Sequence, residues 1–227
     1  MSKFKIGFPL NLTSTEENYL KTIFHLQVES DTVTTNALAL SLQTRPASIT
    51  DMMKKLSAKG LLHYKPYYGF NLTAEGKKAA LIIIRRHRLW EYFLSEKLQF
   101  SWDEVHEVAE ELEHVSSKKL IDKLDAYLGF PAFDPHGDPI PDTKGRLKKA
   151  PYISLADLPL KQRAELKSIT NQSTAVLEYL DQKHIRINTV LEIRQRFDFD
   201  GTMEIKTEQR IITISALLAK QLFVKKL

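Results

Sequence analysis

The segment HEVAEELEH sets His106, Glu110, Glu113 and His114 at positions i, i+4, i+7 and i+8. At about 3.6 residues per helical turn these four side chains fall on one stripe. All of them can bind a metal ion, whereas a stripe that faces a core is normally apolar. The blander reading is a solvated charged face, continued by Glu107 and Glu111. On the preceding helix His87 and Glu91 stand at i, i+4. A His/Glu pair on one helix and a His/Glu stripe on the next can converge between packed helices, as di-metal sites do in bundles. The competing reading of His87 is a solvated arginine-rich face, because Arg85, Arg86 and Arg88 surround it. Asp134, His136 and Asp138 lie in a proline-rich stretch. They either add ligands from a third segment or cap helix ends, and capping is the favoured expectation.

Composition limits the chemistry. The chain has 227 residues and no cysteine, so any metal must be held by nitrogen and oxygen. A content of 43% hydrophobic and 27% charged residues is that of a folded protein. The start MSKFKIGFPL does not read as a signal peptide. The longest apolar stretch, Ala79 to Ile84, is far too short for a bilayer span. A cytoplasmic protein with no membrane partner is therefore expected. The net charge of +5 and pI near 9.2 permit a polyanionic partner without demanding one. No Gly-x-Ser-x-Gly, glycine-rich phosphate loop or His-Glu-x-x-His is present. No catalytic residue and no small-molecule substrate is expected. His25, His63 and His184 are isolated and read as structural or surface residues.

Three blocks position these residues. In the first, residues 1–73, Thr13, Ser14 or Thr15 can cap a helix whose apolar face is Tyr19, Leu20, Ile23, Phe24 and Leu26. A second helix begins near Thr34 or Thr35, and Arg45-Pro46-Ala47-Ser48 opens a third that Lys59-Gly60 stops. Two short strand candidates around Lys65 to Gly69 complete the order of a winged helix-turn-helix. Such a module reads the major groove with the early part of its third helix. The candidate DNA-contacting residues are Thr44, Arg45, Ala47, Ser48, Thr50 and Asp51, followed by Lys54 and Lys55, with Lys59 beyond. Lys65 and Tyr67 sit at the wing tip, where a cation and a phenol suit phosphates.

The second block, residues 74–142, reads as helices to about Lys97, at about 102–115 and at about 117–128, closed by the irregular FPAFDPHGDPIPD. A basic linker, 143–151, leads to a β-rich domain over 152–227. Its expected strands are Ala164–Ile169, Val190–Arg194, Met203–Lys206 and Ile211–Ile214, with one helix over Ser173–Gln182, in a five-stranded barrel. The fold class is thus mainly α with a β-rich C-terminal domain.

TEENYLKTIF, RPASITDMMKKLSAKGLL, LTAEGKKAA, RRHRLWEYFL, HEVAEELEH and FPAFDPHGDPIP occur in this order. In their order and spacing the chain closely resembles the metal-dependent repressors of the diphtheria toxin repressor and manganese transport regulator family. The long members, with a C-terminal SH3-like domain related to a ferrous-transport accessory protein (FeoA-like), are the nearest in kind. The resemblance implies a homodimer that binds a palindromic operator in double-stranded DNA when loaded with metal. It implies a primary site of Glu110, Glu113 and His114, joined by a first-helix ligand at Asn18, with Glu17 adjacent. It implies a second site of His87, Glu91 and His106, to which the turn residues Asp134 and His136 correspond. A further first-helix glutamate of some manganese members falls at Lys21, which cannot ligate as a cation. The ligand positions of the SH3-like domain fall near Asn171 and Gln172, where a carboxylate is missing.

Carboxylate and amide oxygens stand where iron-responsive relatives carry sulfur. Ligand hardness then favours Mn(II), with Fe(II) second, and Zn(II) or Co(II) as ions expected to bind in vitro. The function that the resemblance implies is repression of manganese or iron uptake genes. Two rival readings are a winged-helix regulator that senses an organic ligand and a two-metal hydrolase.

Overall fold

Thr13 fixes the start of the first helix, α1 (Ser14–Glu29), through a capping box. Its hydroxyl accepts from the Glu16 backbone N–H while its own N–H donates to the Glu16 carboxylate. The structure, a computed structural model, describes residues 11–30, 32–65, 68–148, 151–208 and 210–227. Tyr19, Leu20 and Ile23 are buried on α1. Thr34 caps α2 (Thr35–Ser41), which turns Leu38 and Ala39 inward. Pro46 occupies the first turn of α3 (Pro46–Ala58), where its missing N–H leaves no bond unmade. Ile49, Met53 and Leu56 form the buried face of α3. Strands β1 (Leu62–Lys65) and β2 (Gly69–Leu72) pair antiparallel with Leu62 opposite Leu72. This is the expected winged helix-turn-helix.

The long helix α4 (Ala74–Leu98) begins where Thr73 accepts from the Gly76 N–H. A Cβ at Gly76 would lie 2.0 Å from the Leu61 carbonyl oxygen, so only glycine lets the helix approach the start of the hairpin this closely.

The described chain divides into two compact units, one up to Arg85 together with Pro141–Arg146, the other Arg86–Ile140 with Leu147–Leu227. The first has a single core of α1, α2, α3, the hairpin and the start of α4. Pro141–Arg146 is held there by Arg85, which donates to the Pro141 carbonyl at 2.8 Å.

In the second unit follow α5 (Val105–Leu112) and α6 (Lys118–Tyr127). Both are shorter than expected. Glu104 folds back to accept from the Ser101 N–H and hydroxyl, which closes a turn ahead of α5. The FPAFDPHGDPIPD stretch has neither helix nor strand, as expected, and holds one bridge, Phe133 to Pro139.

The C-terminal part is a six-stranded antiparallel sheet rather than a five-stranded one, in the order β3-β8-β4-β5-β6-β7. The four expected strands are β4 (Arg163–Ile169), β5 (Val190–Arg196), β6 (Met203–Lys206) and β7 (Ile211–Ile214), and Ser173 precedes α7 (Thr174–Gln182). The two that sequence reading missed are β3 (Ile153–Ser154) and β8 (Leu222–Lys226), which follows the short α8 (Ala216–Gln221) without a break. A two-residue strand has no measurable alternation, and the basic end of β8 hides its Leu222-x-Val224 inward face. Leu166, Leu177, Leu191, Ile193, Ile205 and Val224 are among the buried residues of this domain's core. No helix among the described residues is long and apolar enough to cross a membrane.

Candidate functional site

Helix α4 carries His87 and Glu91, and α5 with its C-cap carries His106, Glu110 and Glu113. The turn beyond α6 carries Asp134 and His136. All stand in the second unit. Among the described residues three triads place their ligand atoms within 4.8 Å of one another: His87/Glu91/His106, His87/Glu110/Glu113 and Glu91/Asp134/His136. His87 and Glu91 are shared, so the triads form one continuous cluster. His114 adjoins it, with Nε2 3.8 Å from Glu113 Oε1.

Burial removes the solvated-face reading for His87, Glu91 and Glu113. His87 is 7% exposed and Glu91 and Glu113 are fully buried. Arg85, Arg86 and Arg88 are buried too, so the solvated arginine-rich face is corrected: their polar ends are used inside the protein. Arg88 donates to the Pro139 carbonyl and to Asp138 Oδ2, and its Nε is 3.3 Å from Asp134 Oδ2. Glu110, by contrast, keeps a partly exposed side chain.

The turn residues cap no helix, which corrects the favoured expectation for them. Asp134 Oδ1 accepts from the backbone N–H groups of His136 and Asp138 and so closes its own turn. His136 Nε2 donates to the Trp102 carbonyl at 2.7 Å. A carbonyl oxygen only accepts, so a neutral His136 carries its proton on Nε2 and its lone pair on Nδ1. That Nδ1 is buried, has no hydrogen-bond partner, and stands 3.7 Å from Glu91 Oε1. Glu91 Oε2 is likewise buried without a hydrogen-bond partner. Buried acceptor atoms without partners are costly, and a cation held by both residues would offset that cost. The donors are imidazole nitrogens and carboxylate oxygens and fit a divalent cation.

The electrostatics agree. Burial by itself would raise the Glu91 carboxyl, but His87, then His106 and His136, hold it well below the usual carboxylate range. Burial, then the charges of Asp138 and Glu91, push Asp134 well above that range, against the pull of Arg88. Added positive charge beside Asp134 would favour its ionised form.

Sequence reading missed three supports of the cluster: Arg88, the Trp102 carbonyl and Asp138. Asp138 accepts from Ser168 at 2.7 Å and from Gln172 at 3.2 Å, which ties the turn to the β-rich domain. The Asp-x-His-x-Asp spacing was visible, but its partners lie 30 or more residues away in the chain. Gln172, one of the two positions where a carboxylate ligand was looked for, is thus a donor to Asp138.

In the first unit, Arg45, Ala47, Ser48, Asp51, Lys54 and Lys55 are exposed along α3, and Thr44 and Thr50 are half-buried. Thr50 donates back to the Pro46 carbonyl, and Lys54 lies 3.7 Å from Asp51. Lys65 is exposed with its ammonium over the Tyr68 ring, and Tyr67 lies outside the described residues. On α1, Glu17 is buried, and Asn18 Oδ1 is shielded with no hydrogen-bond partner among the described residues.

Lys55 and Lys59 both reach Glu16, which is fully buried, at 3.2 and 2.7 Å. This pins the C-terminal half of α3 to α1. Burial raises the Glu16 carboxyl, but Lys59, the Thr13 N–H and Lys55 outweigh it and hold it below the usual carboxylate range. A depressed carboxylate stabilises the fold above the ordinary range near about pH 4, and that stability is lost as pH falls through the folded-state value. Glu16→Gln should therefore cost about 1–3 kcal/mol near neutral pH, the partial exposure of Lys55 keeping it to the lower part. Urea unfolding across pH should show wild type and variant converging in acid. Parallel profiles would contradict this.

Known families match the chain in three stretches. Residues 11–70 match the family model "Iron dependent repressor, N-terminal DNA binding domain". Residues 73–142 match "Iron dependent repressor, metal binding and dimerisation domain", and residues 153–226 match the FeoA domain. A manganese-dependent transcriptional repressor solved in complex with manganese is 32% identical, with a TM-score of 0.87, over 93% of this chain and 100% of that one. The chain belongs to the metal-dependent transcriptional repressors. Another member, the repressor ScaR solved with bound Cd2+, is 30% identical with a TM-score of 0.83, covering 93% of this chain and 99% of that one. The iron-dependent repressor of Mycobacterium leprae is 28% identical over 184 residues, 81% of this chain and 80% of the relative. In this repressor the winged helix-turn-helix is the DNA-binding domain of the family, and the six-stranded domain is its FeoA, SH3-like, domain.

Proposed function

We propose that this repressor is activated for operator binding by Mn(II), with Fe(II) second, and controls manganese or iron uptake genes in the cytoplasm as a homodimer on a palindromic operator. The observation that carries the reading is the buried imidazole and carboxylate cluster, whose inner lone pairs at Glu91 and His136 lack hydrogen-bond partners. The primary ligands are Glu110, Glu113 and His114. The second set is His87, Glu91 and His106, with Asp134 and His136 from the turn. Asn18 and Glu17 are the candidate donors of α1. With no cysteine in the chain, the donors are hard or borderline, and hardness favours manganese over softer ions. Manganese in the relative solved with that ion supports the same choice.

When bound, the ion supplies the positive charge that the carboxylates lack. Held by His106, Glu110 and Glu113 together with the donors of α4, it would replace their mutual repulsion by attraction. Thr44, Arg45, Ala47, Ser48, Thr50, Asp51, Lys54 and Lys55 present the reading face to the major groove, and Lys65 and Tyr67 contact phosphates. Linkage requires operator DNA to tighten metal binding by the factor by which metal tightens DNA binding.

The test is an anaerobic titration of DNA binding with Mn(II), Fe(II) and Zn(II), using duplexes selected from a random pool by the Mn(II)-loaded protein. Mn(II) should raise affinity about 5–150-fold and a chelator should reverse it. Equal affinity with and without chelator would overturn the reading.

A further inference from the structure

Three imidazoles surround one carboxylate oxygen. His87 Nε2, His106 Nδ1 and His136 Nδ1 stand 2.9, 3.3 and 3.7 Å from Glu91 Oε1. His87 Nε2 and His106 Nδ1 are also 3.2 Å apart. Each ring meets an acceptor at its outer nitrogen. For His136 this is the Trp102 carbonyl at 2.7 Å from Nε2. For His87 it is Glu113 Oε2, 2.8 Å from Nδ1. For His106 it is Glu110 Oε1, 3.7 Å from Nε2.

A neutral imidazole has one N–H and one lone pair. Pointing all three lone pairs inward gives the outer N–H groups of His87 and His136 acceptors within hydrogen-bond range, sets that of His106 beside Glu110, and leaves three nitrogens and Glu91 converging on one point. The alternative for His87, ligation through Nδ1 together with Glu110 and Glu113, puts its proton on Nε2, where it would donate to Glu91 Oε1 at 2.9 Å, and takes that nitrogen out of the Glu91 ligand set. His136 is already committed to the inward arrangement by the Trp102 carbonyl, and metal-bound histidines commonly donate their other N–H to a carboxylate. The acceptors here are unusual in that both are themselves expected ligands of the other ion.

We propose that His87 and His106 are relays between the two metal sites. Ligation through their inner nitrogens at Glu91 fixes the outer N–H of His87 on Glu113 and turns that of His106 toward Glu110, and so orients the two carboxylates that serve the primary site. Glu113 then offers Oε2 to His87, while its Oε1 faces His114 Nε2. Occupancy of the Glu91 site thereby raises affinity at the primary site. This inference rests on the metal reading of the preceding subsection.

The experiment loads the full chain, with 15N-labelled histidine, with 113Cd(II), whose nuclear spin marks the ligating nitrogen. Cadmium coupling should appear on His87 Nε2 and His106 Nδ1, with protons retained on His87 Nδ1 and His106 Nε2. Coupling on His87 Nδ1, or on both of its nitrogens, would overturn the relay. Absence of any cadmium binding would instead overturn the metal reading itself. In parallel, free Mn(II) is followed by electron paramagnetic resonance with wild type and Glu91→Gln, after circular dichroism shows both folded. The variant should lose one ion and bind the other about fivefold or more weakly. Unchanged affinity for the remaining ion would show independent sites and refute the relay. If Glu91→Gln does not fold, the cadmium experiment on wild type decides alone.

Discussion

Glu113→Gln should fold like wild type and lose metal-stimulated DNA binding, a deficit of about 5–150-fold at saturating Mn(II). Glu113 is fully buried, its Oε2 lies 2.8 Å from His87 Nδ1 and its Oε1 3.8 Å from His114 Nε2. The amide is nearly isosteric and its oxygen still accepts from His87, so packing is preserved. What disappears is the negative charge and one anionic ligand of the primary set. His114→Ala should give the same loss from a more exposed position, where collapse of the core is not a concern. Fluorescence anisotropy with and without chelator measures both. An E113Q protein that binds DNA as tightly as wild type, and only with Mn(II), would remove Glu113 from the site.

Gly137→Ala should destabilise the second unit by about 2–4 kcal/mol and remove one ion per chain. The glycine has φ 84, and a Cβ there would stand 1.7 Å from the Lys167 carbonyl oxygen and 2.7 Å from its carbon. The obstacle is backbone of strand β4, which cannot rotate away as a side chain can. Either β4 shifts or the turn lifts. A lifted turn breaks the bonds of Ser168 and Gln172 to Asp138, and withdraws His136 from Glu91. Thermal unfolding and metal counting by equilibrium dialysis test the two effects together. A variant with wild-type melting and a full complement of Mn(II) would show that the close approach has no bearing on the site.

The helix-turn-helix and the His/Glu stripe were legible because their signals are local. Caps, apolar spacing and the i, i+4 donors all lie within a few residues of one another. The joining of His87 to Glu113 and of His136 to Glu91 was not, because spacing on one helix does not say which face meets which neighbour. The same limit hid the roles of Arg88 and Asp138. An arginine flanked by arginines reads as solvated until its partner, a carboxylate 50 residues on, is brought beside it. Strands β3 and β8 were missed for a related reason, since each is defined by its pairing partner more than by its own pattern.

The absence of sulfur from the cluster has a consequence for the conditions under which such a sensor works. A thiolate ligand can be taken to sulfenic acid or disulfide by peroxide, and the readout of metal supply then fails. Imidazoles and carboxylates have no such step. Oxidation of a sulfur ligand is therefore not a route by which peroxide would disable this cluster.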